Sequence, residues 1–376
     1  MTEPTLQPPI WVDQQKTFEY MVADLSAQTR IAVDTESNSL HAYRERVCLI
    51  QFSTIKHDYV VDPLVLQDLS PLGPVFSNPQ IEKIFHAAEY DIICLKRDYG
   101  FSFSNLFDTM QAARILGYPQ VGLDNILAGK FDLKIDKRHQ KADWGARPLT
   151  PAQIDYARFD THYLFQLRNL LETELREKHR WELALDDFRL GCLVGEWKER
   201  NNNGSSWKRF AGRKDLSLRE LTVINELCIC RDHIAERLDR PVFKVIGDDV
   251  LLELAKTLPE KDVDLAGIGL SQKQIKLWGD QILAAIQRGA ESPLVKREQA
   301  KRPSDAVLRR LEKLKAWRKK LAGEQAVESD IILPKMYLGL LSENPPHTLQ
   351  ELETVMRDSP TRFQQYGTDL LRLVGG

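Results

Sequence analysis

The sequence predicts a mixed α/β domain followed by two small all-helical modules. Three observations carry that reading. Apolar runs of strand length fall within the first 85 residues, helical periodicity dominates beyond Thr109, and the second half repeats itself weakly. At 376 residues the chain also exceeds one ordinary core, so two or three domains are expected.

Residues 30–34 (Arg-Ile-Ala-Val-Asp) read as a short buried strand, with further strands at 47–52 and 59–62. Their short connections favour antiparallel pairing. Residues 81–85 form a fourth strand, and a helix follows over about 88–99. Helical spacing then holds from Thr109 to about Leu190. Within it, Thr150-Pro-Ala-Gln153 places a Thr cap, Pro at the first helical position and Gln three after the cap, which is the capping-box pattern. The helix it starts is expected to run through Tyr156, Asp160 and Leu164 on one face.

The pattern breaks over 191–212, where Asn201-Asn-Asn-Gly-Ser-Ser206 is polar and turn-rich. This linker separates an α/β domain (1–190) from a helical module (213–292) and a second, more degenerate one (293–376). In the repeat, Arg231-Asp-His-Ile-Ala235 corresponds to Arg318-Lys-Lys-Leu-Ala322, and Pro259 to Pro345, at offsets of 87 and 86 residues.

Charge is uneven. Up to Asp187 there are 20 Lys and Arg against 27 Asp and Glu; beyond it there are 32 against 27. An acidic front half can gather cations and a basic back half can hold a polyanion, although charge alone favours ordinary solvated surface for both. No apolar run reaches the ~20 residues of a membrane span, and the first ten residues lack the charged and apolar regions of a signal peptide. Cys48, Cys94, Cys192, Cys228 and Cys230 are odd in number and lack zinc spacing, so they read as reduced thiols of a cytoplasmic protein.

Asp34-Thr35-Glu36 is the first candidate for chemistry. Carboxylates at i and i+2 of a strand share a face. Held close and buried, they repel unless a cation joins them, and hard cations such as Mg²⁺ or Mn²⁺ take oxygen ligands. Alone, the pair equally describes an exposed strand end. Tyr156 and Asp160, one turn apart, can project into one site: a tyrosine can orient a water and a carboxylate can bind a metal. A buried Tyr with an exposed Asp accounts for them as well. Asp91 stands near a helix start, where charge matching to the helix dipole is the simpler reading. His86 fits a structural hydrogen-bonder.

Taken in order, these residues resemble the DEDDy 3′→5′ exonucleases and, more closely, the ribonuclease D family. The resemblance rests on Val33-Asp-Thr-Glu-Ser-Asn-Ser-Leu40, Cys48-Leu-Ile-Gln51, His86-Ala-Ala-Glu-Tyr-Asp91, Asp108-Thr-Met-Gln-Ala-Ala113, and Ala142-Asp-Trp-Gly-Ala-Arg-Pro-Leu-Thr150 running into Tyr156-Ala-Arg-Phe-Asp160. It extends over nearly the whole chain, because the helical repeats resemble HRDC modules. It implies an RNase H-like α/β fold and two divalent ions. Asp34, Glu36 and Asp160 would hold the first ion, Asp34 also the second, Asp91 would complete the site directly or through water, and Tyr156 would orient the attacking water. Asp108 is read as structural, or as a support lying just outside the ligand set.

For substrate, the resemblance implies RNA, with tRNA precursors carrying 3′ extensions as the expected class and 5′-mononucleotides as product. A monomer without membrane association is expected. Residues 296–320 hold eleven Lys or Arg and three acids, a pattern that fits phosphate contacts or a solvated helix face. Trp207 and Lys208 could stack a base and meet a phosphate. Trp317 reads as core. Trp144 and Arg147 fit substrate contacts, and equally a packed indole and a salt bridge. Ser37, where the family often has an aromatic, and Leu40 are closer to the proofreading exonucleases, whose leucine wedges beside the terminal base, although a core leucine is the simpler reading of Leu40. A DNA 3′→5′ exonuclease is therefore the first rival, and a catalytically dead nucleic-acid-binding scaffold the second. The complete acidic set argues against the latter.

Overall fold

The computed structural model describes residues 7–195, 205–297 and 302–375. The chain divides into two compact units: residues 1–37, 47–197 and 303–376 form the first, and residues 38–46 and 198–302 the second.

The first unit is built on one six-stranded mixed sheet. Its strands are β1 (Ile10–Val12), β2 (Arg30–Ser37), β3 (Val47–Ser53), β4 (Asp58–Val61), β5 (Glu82–Phe85) and β6 (Leu106–Asp108), in the order β1-β4-β3-β2-β5-β6. β2, β3 and β4 pair antiparallel, as their short connections predict, while β1–β4, β2–β5 and β5–β6 are parallel. β3 is buried at all seven positions, as a central strand covered on both faces must be. The expected four strands are present, and β2 continues to Ser37. β1 and β6 escaped the sequence reading because three residues are too few to show a period.

Around the sheet lie α1 (Gln15–Ser26), α2 (Leu72–Ser77), α3 (Glu89–Tyr99), α4 (Thr109–Leu116), α5 (Leu123–Phe131), α6 (Pro151–His162), α7 (Leu164–Glu177) and α8 (Trp181–Cys192). Two expectations need correction. Helix is not continuous from Thr109: Asp132, at φ +56°, ends α5, and residues 132–150 hold only the 3₁₀ turn Lys137–His139. Leu164 does not share a helix with Asp160, because α6 stops at His162, Tyr163 intervenes, and Leu164 opens α7. The capping box itself forms: Thr150 accepts from the Gln153 amide, and the Gln153 side chain accepts from the Thr150 amide.

The second helical repeat belongs to this same unit. It consists of α14 (Asp305–Gln325), α15 (Ser329–Ile332), α16 (Lys335–Glu343), α17 (Leu349–Val355) and α18 (Pro360–Val374), numbered after the five helices of the other unit. It docks on the ends of α4 and α8. Arg114 pairs with Glu328 and Asp330, and Arg180 donates to the Gln325 carbonyl at 2.9 Å. Gly117, at φ +80°, ends α4 so close to Ala326 that a Cβ there would stand 2.7 Å from its carbonyl oxygen. Deeper in the contact, Asp186 of α8 accepts the Arg362 backbone amide at 3.0 Å, and the Arg362 guanidinium meets Asp187 at 2.8 Å and the Ile331 carbonyl. Arg362 is fully buried.

The second unit holds α9 (Leu218–Leu238), α10 (Val242–Val245), α11 (Asp248–Thr257), α12 (Asp262–Ala266) and α13 (Gln272–Glu291) around its own core. The loop 38–46 is tied to α9: the Tyr43 hydroxyl donates to Asp232 at 2.8 Å, and Arg44 pairs with Glu236. The middle of the expected linker (196–204) and part of the basic stretch (298–301) lie outside the described residues. Its remaining segment Ser205–Phe210 is not a free linker but a 3₁₀ turn carrying Trp207 and Phe210 into this core. Among the described residues, no helix is long and apolar enough to cross a membrane.

Candidate active site

β2 outruns its parallel neighbour. It pairs with β5 only over Arg30–Ala32, and β5 ends at Phe85. Asp34, Thr35 and Glu36 therefore extend past it, at the carboxyl ends of two parallel strands, the usual place for a site in such sheets. Alternation turns Asp34 and Glu36 to the face that α6 covers. Carboxylate oxygens of Asp34, Glu36 and Asp160 of α6 lie within 4.8 Å of one another.

α6 is pinned there by polar contacts the sequence did not advertise. Ser53 of β3 meets the Thr161 hydroxyl at 2.8 Å and donates to Asp58 at 2.6 Å, and Asp58 also binds His162 Nδ1 at 2.8 Å. Asp91 is buried in the first turn of α3 and accepts from the Thr35 hydroxyl. Thr35 thus ties α3 to β2, a role its place on the opposite face gave no hint of. The approach to α3 is held by Asp108, which accepts the amides of Ala87, Ala88, Met110 and Gln111. Those bonds fix Ala87 at φ +64°, a conformation that non-glycine residues rarely adopt. His86 binds the Thr109 hydroxyl at 2.9 Å. Both residues thus hold the backbone and side chains around the start of α3 and α4.

The electrostatics are those of a cation site. Burial first, then repulsion from Asp91, Asp160 and Glu36, holds the Asp34 carboxyl well above the usual range. Burial, then Asp160 and Asp91, does the same to Glu36. Burial pushes Asp91 up to about 7 against the opposing Thr35 hydroxyl, and burial with Asp91 pushes Asp160 up to about 7. Among the described residues no basic side chain pairs with any of the four. An all-carboxylate set without a cationic side chain fits hard divalent ions such as Mg²⁺ or Mn²⁺.

Tyr156 lies one turn before Asp160, its phenol raised by burial and then by Asp160. Its ring stacks on Trp144 at 5.9 Å. Trp144 is 1 % exposed and therefore offers no face to a substrate; the expected contact is corrected to a packed indole backing Tyr156. Arg147 is likewise spent internally. It forks onto Asp62 at 2.6 and 2.8 Å and donates to the carbonyls of Cys48, Trp144 and Ala146. Trp207 is core in the second unit, so its stacking role is withdrawn, while Lys208 is exposed. Leu40 is 41 % exposed on the loop 38–46 of that unit. Trp317 packs edge-on against Tyr366. Of the basic stretch, Arg297, Arg310 and Arg318 donate to backbone carbonyls, leaving Arg309, Lys315, Lys319 and Lys320 among the exposed residues of α14.

Fold and site together define an α/β domain with an acidic cluster able to hold a divalent cation, followed by helical modules. Residues 9–176 match the 3′-5′ exonuclease family, and residues 220–286 and 307–374 each match the HRDC domain. The chain therefore carries a domain of that 3′-5′ exonuclease family followed by two HRDC domains. It is 36 % identical over 276 residues to the exosome complex exonuclease RRP6 of Saccharomyces cerevisiae, covering 69 % of this chain and 37 % of that protein. The chain thus spans well under half the length of that curated relative. The crystal structure of the catalytic core of RRP6 from Trypanosoma brucei superposes with a TM-score of 0.66 at 28 % identity, over 78 % of this chain and 82 % of that one. Escherichia coli RNase D, described as an exoribonuclease involved in structured RNA processing, shares the fold: TM-score 0.68, 22 % identity, 96 % of this chain and 100 % of that one.

The raised carboxyls carry a pH consequence. Unfolded carboxylates titrate near 4, so between about pH 4 and 7 these four carboxyls bind more protons in the metal-free folded chain than in the unfolded one. By linkage, this set's contribution to stability falls as pH rises through that window. With chelator, the chain is expected to melt lower at pH 8 than at pH 5.5, and Mn²⁺ at pH 8 is expected to restore the loss. Calorimetry checks both; a Glu36→Gln chain should show a smaller pH difference.

Proposed function

We propose that the chain is a 3′→5′ exoribonuclease that removes single nucleotides from RNA 3′ ends and releases 5′-mononucleotides. One observation carries the reading: three half-buried carboxylates whose oxygens lie within 4.8 Å of one another, with no cationic side chain paired to them among the described residues. Asp34, Glu36 and Asp160 would hold a divalent ion, with Asp91 completing the set and Asp34 shared by a second ion. Such ions supply Lewis acidity for the attacking water and the departing 3′ oxygen. The chain's own part is to bind and orient. The Tyr156 hydroxyl, beside Asp160 and stiffened by Trp144, holds the water. The fixed α6 and α3 keep the carboxylates in register. Burial leaves the carboxylates strongly favouring a partner cation. Structured RNAs with 3′ extensions, tRNA precursors among them, are the proposed substrates, and the cytoplasm the proposed compartment.

The test is digestion of 5′-labelled and 3′-labelled RNA, with a matched DNA strand, in Mg²⁺, Mn²⁺ and chelator. The expected result is metal-dependent shortening of 5′-labelled RNA and immediate mononucleotide release from 3′-labelled RNA. Internal cleavage, or faster attack on the DNA strand, overturns the reading. Tyr156→Phe is expected to lower kcat about 10²-fold with Mn²⁺ affinity and melting temperature unchanged, by single-turnover kinetics and calorimetry.

A further inference from the structure

Gln51, in the middle of β3, is fully buried, and neither its Oε1 nor its Nε2 has a hydrogen-bond partner. A buried polar group left unpaired destabilises the fold, so leucine or methionine would serve packing better. The neighbours of Gln51 suggest what the amide is for. It is the Cα partner of Asp34 across the β2–β3 ladder and of Val60 across β3–β4. Directly opposed residues of an antiparallel pair share a face, their Cβ atoms about 4.5–5.5 Å apart. Gln51 therefore stands on the face of Asp34. Two residues on, Ser53 meets Thr161 of α6. One turn back along α6 is Ala157, which shares a small apolar cluster with Leu49 and Val60, the residues flanking Gln51. Ala157 of α6 thus packs against the neighbours of Gln51, and Asp34 stands directly across the ladder from it.

We infer that Gln51 is a positioning residue for the acidic set, its carboxamide placed to hydrogen-bond the Asp34 carboxylate when that carboxylate holds a cation. The inference rests on the reading of the acidic set as a divalent-ion site. A carboxylate that gives one lone pair to a cation has others to be held, and such outer hydrogen bonds fix its orientation. A neutral amide does this without competing with the cation, as a lysine would. It reaches farther than a serine and adds no negative charge, as a glutamate would.

The test is calorimetric titration of the full chain with Mn²⁺, without substrate, for the native protein, Gln51→Leu and Gln51→Met, with metal-free melting temperatures alongside. Both variants are expected to lose about 10–100-fold in Mn²⁺ affinity while melting, metal-free, at or above the native temperature. Native affinity in a folded variant overturns the inference, and a lower melting temperature with native affinity, the signature of packing alone, does the same. If neither apolar variant folds, Gln51→Asn, which retracts the amide by one methylene, is read by the same titration with the same two outcomes. Failure of the native chain to bind Mn²⁺ overturns both this inference and the functional reading; native binding with unchanged variants overturns this inference alone.

Discussion

Asp34→Asn is expected to lower the single-turnover rate on 5′-labelled RNA by at least about 10³-fold, or about 4 kcal/mol of transition-state stabilisation, while raising the melting temperature of the metal-free chain. The two effects have one cause. Asp34 is the most crowded of the four carboxyls, repelled by Asp91, Asp160 and Glu36 in a buried setting. Neutralising it removes that repulsion and also removes a ligand of the proposed ions. The rate is read by quenched flow and the melting temperature by calorimetry in chelator. A rate within tenfold of native would remove Asp34 from the catalytic set. An unchanged melting temperature would show that the carboxyls do not strain the metal-free fold.

Arg362→Ala is expected to give the largest loss of stability, about 3–5 kcal/mol, because it strands buried charge. Asp186 is fully buried and already caps α18 through the amides of Thr361 and Arg362, at 3.3 and 3.0 Å. Asp187 is held up by burial and opposed chiefly by the Arg362 charge. The variant leaves Asp187 without that cation and the Ile331 carbonyl without its donor. Urea unfolding of native and variant chains measures the difference. A loss under 1 kcal/mol would mean that water replaces the guanidinium at little cost. In the same way, cutting the chain after Leu216 would remove both helical modules and also uncover α8, so it does not isolate a role in holding RNA.

The acidic set was legible because metal chemistry constrains residue type and spacing together. Asp34 and Glu36 had to share a strand face, and Tyr156 and Asp160 had to lie one turn apart, whatever surrounds them. Trp144, Arg147 and Trp207 were not legible in this way. An indole or a guanidinium serves a core or a ligand equally well, and what decides between them is the partner. Arg147 found Asp62, 85 positions away in sequence. Thr35 and Gln51 were hidden for a related reason: the contacts that give them meaning come from α3 and from a cross-strand pairing. The sheet's central strands showed in the apolar pattern, whereas β1 and β6 were too short to register. The two helical repeats look alike in sequence, yet residues 303–376 share a compact unit with the sheet while residues 198–302 do not. Similarity between repeats carries no information about docking.

That division has a consequence for biosynthesis. The unit containing the sheet is interrupted by residues 198–302, and its closing contact, Arg362 on Asp186, joins positions 176 apart. At a ribosomal pace of roughly 5–20 residues per second, α8 waits of the order of ten to thirty seconds for α18 to emerge. Over that interval Asp186 and Asp187 are hydrated, and the apolar flank of α8 is without its cover. If the intervening helices fold first, they shorten the loop that must close. The nascent chain is therefore expected to hold a nearly finished nuclease sheet with one uncovered helix, a surface for chaperones to hold and proteases to find until α18 arrives.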